Sequence, residues 1–245
     1  MNIVTNNHLE GVNSKALAKA RRKEGRLFFN LSLPSLITIL IVVFIPVFWL
    51  SSLSFFDRAG DFSWENYDRI FQSQLYIKTF IVTLKISFIT LFFCILLGYP
   101  LCYWLSQLPD RLAGILMVFV LLPFWTSILV RTYAWLVILQ RNGIINDTLI
   151  SIGWIDEPLQ LAHNLTGTVI GMVHILLPFF ILPLFASMRS IDTNFIRAAI
   201  SLGSTPRGAF WRVFFKMSLP GFFAGTVLVF VLALGTYVTP VLLGG

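Results

Sequence analysis

Charge is scarce in this chain: Asp, Glu, Lys and Arg make up 12% of its 245 residues, against roughly 25% in soluble globular proteins. No water-soluble surface of this size can be built from so few charges, so a soluble globular fold is excluded. Cysteine is scarcer still, with two residues. Cys94 and Cys102 lie in one apolar run, about 12 Å apart along a helix, which is too far for a disulfide; they say nothing about redox compartment. The histidines, His8, His163 and His174, fall in three different compartments of the topology derived below, and no Cys/His cluster or H-E-x-x-H pattern is present. A G-x-x-x-x-G-K-[ST] phosphate loop is missing as well, so any ATP hydrolysis belongs to a separate chain. No intramembrane pair of carboxylates offers general acid–base chemistry. These absences leave an enzyme reading with nothing to stand on, and nothing calls for a cofactor or a metal.

Apolar residues are abundant instead: 57% of the chain is hydrophobic and 15% aromatic, with a mean hydropathy of +0.82. They run in blocks of twenty or more, the length of a membrane span. The chain therefore reads as an all-α polytopic membrane protein with five apolar spans, at about 27–53, 79–104, 115–139, 166–187 and 219–243. Residues 1–26 form a basic tail, and 27–245 a transmembrane domain. The first block is too long for a signal-peptide core and no small-x-small cleavage site follows it, so it is expected to stay as an uncleaved span. Pro178 and Pro183 in the fourth run are tolerable where neighbouring helices satisfy the freed backbone groups.

Orientation follows from the basic residues. With the N-terminus inside, the cytoplasmic segments hold twelve Lys and Arg: six in the tail, Arg111, and Arg189, Arg197, Arg207, Arg212 and Lys216. The external loops hold four, Arg58, Arg69, Lys78 and Arg141, so the positive-inside rule predicts a cytoplasmic N-terminus. The net charge of +7 is thereby a topology signal and requires no nucleic acid. Five spans would leave an unanchored Leu-Leu-Gly-Gly outside, which predicts that a sixth span is missing from this chain.

Residues 188–218 hold five of those twelve cytoplasmic cations. Asp192 or Thr193 can cap a helix reaching about Leu202, and Gly203 is a natural stop with positive φ. Thr205 can cap a second helix with Pro206 at its first position. That helix is expected to run to about Met217, with Phe210, Trp211, Phe214 and Met217 on an apolar stripe. The sequence thus predicts a helix, glycine turn, helix unit on the cytoplasmic face, kept slim by Ala198 and Ala199.

These residues resemble the E-A-A-x-x-x-G loop of ABC importer permeases. Ala198, Ala199 and Gly203 match, Val213 stands at the isoleucine position of the following I-x-L-P element, and Ser218-Leu219-Pro220-Gly221 closes the loop. Arg197 replaces the glutamate of that pattern, and Phe215-Lys216 replace its Leu-Pro. Further likeness runs through Leu97-Gly98-Tyr99-Pro100, Pro123 to Ser127 with Arg131, Tyr133, Ala134 and Trp135, Asn142-Gly143, and Tyr237-Val238-Thr239-Pro240. Taken in order, these motifs resemble the spermidine/putrescine branch over roughly residues 30–245. The resemblance implies a six-span permease paired with a second permease, an ATPase dimer and a periplasmic binding protein, in the bacterial inner membrane. It also implies that Arg197, Ala198, Ala199, Gly203, Ser204, Thr205, Pro206, Arg207 and Phe210 belong to the segment that docks on the ATPase; a compensating acid there could face Arg197.

The solute path has fewer signals. Lys85 and Arg131 sit at similar depth within their spans, where a charge costs on the order of 3 kcal/mol and usually faces a cavity or the bundle interior. They can line a pore; alternatively, Lys85 snorkels and Arg131 binds backbone carbonyls. Two bare cations suit a cationic solute poorly, whereas Trp125, Tyr133 and Trp135 offer faces for cation–π contacts; lipid-belt or packing roles are their plain alternative. His174 reads as a hydrogen-bonded core histidine. The expected function is import of spermidine, putrescine or a related cation by alternating access. An anionic or zwitterionic cargo, or a stand-alone channel or secondary transporter, are the alternatives.

Overall fold

The computed structural model describes residues 29–56 and 60–244, so the basic tail, Asp57 and Arg58 lie outside the described residues. The chain divides into two compact units, Met1–Ile77 and Lys78–Gly245.

In the first unit, helix α1 spans Phe29–Leu53. Its middle widens into a π turn at Leu40–Phe44, immediately ahead of Pro46. A proline lacks the N–H for a regular helical bond and clashes with the carbonyl four residues back, so a wider turn accommodates it. After α1, the rings of Phe55, Phe62, Trp64 and Tyr67 pack with centroids 5.3 to 6.1 Å apart. The side chain of Asn66 donates to the carbonyls of Ser54 and Phe56. Asn66 and Tyr67 belong to the first turn of the short helix α2, Glu65–Gln72.

Helix α3, Gln74–Gln107, is the longest element. At about 1.5 Å per residue it exceeds the roughly 30 Å of a hydrocarbon core by several turns, so it begins and ends beyond the expected 79–104. Only Leu108 and Pro109 separate it from α4, Asp110–Leu121, which continues as a 3-10 turn, Leu122–Trp125. The third apolar run is therefore not one straight span over 115–139. It breaks at Thr126 and Ser127, both extended, and the chain bends by 96° into α5, Ile128–Leu139. Pro123 is the cause: its carbonyl accepts from both the N–H and the hydroxyl of Thr126, closing one helix before Ser127 opens the next. Helix α6, Ile144–Ser151, follows.

The long connection after α6 is clamped by Asn146, which is fully buried. Its amide donates to Gln140 O and Leu159 O, and its carbonyl accepts from Leu159 N–H at 2.9 Å. Asn146→Ala would leave Leu159 N–H unpaired, at about 1 to 3 kcal/mol where it stays buried, and would leave Gln140 O and Leu159 O only the N–H groups of Gly143 and Leu161. The expected outcome is faster trypsin cleavage at exposed Arg141 in the folded protein, scored by limited proteolysis.

Helix α7, Leu165–Arg189, forms the core of the second unit: Met172, Leu176, Phe180 and Leu184 are all buried. It ends in the short helix α8, Thr193–Ser201, and α9 then runs from Pro206 to Gly235. Here the structure departs from a loop closed at residue 218. The helix opened by Pro206 continues through a π turn at Phe210–Phe214 and past Pro220 straight into the fifth span.

That span also stops short of 243. Thr236 is extended, its hydroxyl capping Leu232 O, and a separate helix α10, Val238–Leu243, folds against α5 and α7. Asn164 N–H donates to Leu243 O, and Thr132 meets Thr239 at 3.4 Å.

Lipid tails are as apolar as leucine, so helices in a bilayer are held by close packing and hydrogen bonds rather than by the hydrophobic effect. Gly221 and Gly225, four apart on α9, let it approach α7 closely: a Cβ on Gly225 would lie 2.8 Å from Phe180 O. On the other side of the same ring, a Cβ on Gly98 of α3 would lie 2.5 Å from Phe180 Cδ1. Phe180 is thus a wedge between α3 and α9. Tyr99 and Ser218 join those helices by a 3.1 Å hydroxyl bond, and Cys102 Sγ lies 3.6 Å from Ile181 O. Both cysteines are free and buried.

Candidate functional site

The turn between α7 and α9 is built by local rules. Asp192 accepts from Asn194 N–H and starts α8. Gly203, at φ +89°, ends it: Gly203 N–H bonds Ile200 O, and Ser204 N–H bonds Ala199 O. These two bonds form a Schellman cap. Thr205 Oγ1 accepts from Gly208 N–H, and Pro206 opens α9. Removing a cap of this kind costs about 1 kcal/mol.

The unit so formed presents a mixed face. Phe195, Ile200 and Leu202 are exposed, Leu202 at 89%. Arg197, Ala198, Gly203, Thr205, Pro206 and Arg207 are exposed beside them, and Ala199 and Ser204 half-buried. Phe210 turns inward, where it and Phe214 pack against Tyr103 of α3 with centroids at 5.1 Å. The sequence-predicted residues are therefore brought together, except that Phe210 anchors the unit rather than facing outward.

Below this unit the cytoplasm-predicted end of α7 is tied to α3 and α4. Arg189 Nη1 donates to Ser106 O and Leu108 O, each at 2.8 Å, and Nη2 pairs with Asp110. Sequence reasoning counted Arg189 only as a topology charge; nothing local distinguishes it from the other basic residues.

The candidate path residues do not form one constellation. On α5, Arg131 and Trp135 are half-buried, and Trp135 lies edge-on to His174 of α7 at 5.6 Å. Trp135 and His174 line a cleft of about 560 Å³ together with Ile89, Phe93, Val173 and Leu177. Arg131 Nε and His174 Nδ1 are buried without a hydrogen-bond partner among the described residues. His174 is thus not satisfied at Nδ1 as a core histidine would be. Trp125 and Tyr133 are exposed, at 89% and 64%, and take no part in that cleft. Lys85 is exposed on α3, forms no ion pair among the described residues, and does not line the cleft. The bend at Thr126 and Ser127 removes the parallel-span geometry on which an equal depth for Lys85 and Arg131 rested. No group of His, Cys, Asp and Glu among the described residues could hold a metal ion.

No family model matches the chain. Comparison with curated proteins finds the spermidine/putrescine transport system permease protein PotB of Haemophilus influenzae, 34% identical over 213 residues, covering 84% of this chain and 74% of that protein. PotB of Escherichia coli is 32% identical over 213 residues, with 84% and 77% covered. Among solved structures, a bacterial ABC transporter that imports the acidic polysaccharide alginate superposes with a TM-score of 0.64 at 20% identity, over 87% of this chain and 73% of that one. The helical architecture, the glycine-turned unit between α7 and α9, and the identity to both PotB proteins lead to one assignment: the chain belongs to the family of spermidine/putrescine transport system permeases, membrane components of ABC importers.

Proposed function

We propose that this chain moves a polyamine, putrescine or spermidine, across the bacterial inner membrane, its N-terminus in the cytoplasm. It works with a second permease, a pair of ATPase subunits and a periplasmic binding protein. The observation that carries this reading is the exposed unit of α8 and its glycine turn, with Phe195, Ile200 and Leu202 facing outward beside Arg197 and Arg207. Apolar side chains ringed by cations on a rigid turn suit a partner's groove better than water. ATP-driven closure of the partner would move this unit as a body, and α7 and α9, which flank it, would rock with it to give alternating access. A channel or secondary transporter acting alone has no use for such a surface.

For the solute, the exposed faces of Trp125 and Tyr133 support cation–π contacts, each worth about 0.5 to 2 kcal/mol. Trp135 meets His174 of α7 instead, and Arg131 is half-buried. Replacing Trp125 and Tyr133 together with alanine is expected to raise the KM for putrescine uptake by about tenfold. ATP-dependent uptake of radiolabelled putrescine into proteoliposomes holding the assembled complex tests the whole reading; uptake that ignores ATP would overturn it.

One observation favours a second cargo. Arg131 Nε is buried without an acceptor among the described residues, a group that an anionic or zwitterionic solute could satisfy. The 2-aminoethylphosphonate transport system permease protein PhnU of Salmonella typhimurium, a putative assignment for that protein, is 26% identical over 171 residues. Competition between putrescine and 2-aminoethylphosphonate for the cognate binding protein separates the two.

A further inference from the structure

We infer that Arg189 is a positioning residue that carries the motion of α8 to α3 and α4, an inference that rests on the ATP-coupled reading above. The path is short. Arg189 is the last residue of α7, and α8 begins at Thr193. The three residues between are stiff: Ser190 N–H bonds Ala186 O, Ile191 N–H bonds Met188 O, and the Ile191 side chain is buried. A displacement of α8 is thus imposed on the Arg189 backbone. Its guanidinium passes that displacement to the turn between α3 and α4, through Ser106 O and Leu108 O at 2.8 Å each and through Asp110. A planar fork that bridges several acceptors resists both rotation and sliding. Without it, α7 and α9 would follow α8 by covalent connection, while α3 and α4 would follow only through packing and the two links deeper in the bundle, Tyr99 to Ser218 and Cys102 to Ile181 O.

The carbonyls held by Arg189 belong to half-buried residues, and water can reach a turn of this kind. Replacing the guanidinium therefore exchanges protein bonds for water bonds, and the chain should still fold. Helix α7 also does not need the side chain for its own end, since its last carbonyls are capped by the backbone of Ser190 and Ile191. The three acceptors are not equal. The Asp110 side chain is 94% exposed, and an ion pair with so wet a partner contributes little. The two backbone carbonyls carry the connection.

The test uses the complete transporter in proteoliposomes, with radiolabelled putrescine and spermidine as probes and ATP hydrolysis measured in the same vesicles. Arg189→Ala is expected to lower solute imported per ATP hydrolysed by about tenfold, with ATP turnover kept within about twofold of the unmodified complex. Arg189→Lys keeps the charge but cannot bridge as a fork, and is expected to fall between the two. Asp110→Ala should change the ratio by about twofold at most. An unchanged ratio in Arg189→Ala overturns the proposal. So does a parallel loss of uptake and hydrolysis, or absence of both Arg189 variants from the membrane, since each marks a residue that only stabilises the fold. If the unmodified complex itself shows no ATP-dependent uptake of either probe, the polyamine reading fails, a result distinct from all of these.

Discussion

Gly203→Ile is expected to abolish polyamine uptake while the chain still reaches the membrane, and Gly203→Asn to retain most of it. Gly203 has φ +89° and ends α8 through two backbone bonds, to Ile200 and Ala199. A β-branched residue in this left-handed region is strained by about 1 to 3 kcal/mol, whereas asparagine visits it readily. Space is not the issue, because a Cβ at Gly203 would meet no atom within 4 Å. The penalty is thus purely conformational, and the chain can relieve it only by opening the turn and redirecting α8. Since α8 and the turn hold Leu202, Ile200 and Arg197 on one exposed face, redirecting it removes the surface proposed to meet the ATPase. Uptake of labelled putrescine is expected to fall by tenfold or more in Gly203→Ile, with ATP hydrolysis by the assembled complex no longer coupled to it. Uptake at the unmodified rate in the isoleucine variant would sink the coupling role of this turn.

Gly225→Val is expected to strip the folded chain from the membrane, or to lower its melting temperature in detergent more than any surface change does. A Cβ at this position lies 2.8 Å from Phe180 O and 3.0 Å from Phe180 Cδ2. The ring cannot retreat, because Gly98 of α3 already backs its other edge. Two helices must therefore separate, and overpacking of this kind costs typically 1 to 3 kcal/mol, occasionally more. In a bilayer the loss is compounded, since close contact is the main attraction between helices. Gly225→Ala adds only the Cβ and is expected to lose less than Gly225→Val, whose further methyls crowd Phe180 more. Thermal unfolding of the purified chain in detergent measures both variants; a Gly225→Val chain as stable as the unmodified one would overturn the close approach of α9 to α7.

These two glycines differ in how far the sequence reveals them. Gly203 is legible because its role is local: Asp192, the glycine and Thr205-Pro206 stand at cap spacings that can be read in one pass. Gly225 reads only as a small residue in an apolar run. What it admits, Phe180, lies 45 positions away, and Gly98, against the opposite edge of that ring, lies 127 positions from Gly225. Arg189 is a similar case, its partners Ser106, Leu108 and Asp110 being some eighty positions distant. The candidate path suffered most. Arg131, Tyr133 and Trp135 are neighbours in sequence, yet a helix turns alternate residues to opposite sides. Tyr133 therefore lies exposed, while Trp135 meets His174.

By itself, the sequence determined that this chain lies in a bilayer, that its regular structure is helical, where its apolar blocks lie, and that a capped glycine turn joins two helices between the fourth and fifth of them. Hydropathy and caps act within a few residues, so they survive without knowledge of the rest. Tertiary structure alone decided the direction of each block: the 96° bend after Trp125, the run of Pro206 straight through to Gly235, and the return of α10 onto α5 and α7. Hydropathy is a sum along the chain and carries no angle. Direction comes from which helix the chain can approach, and that is set by Gly221, Gly225 and Gly98 against α7 and by the reach of the Arg189 side chain.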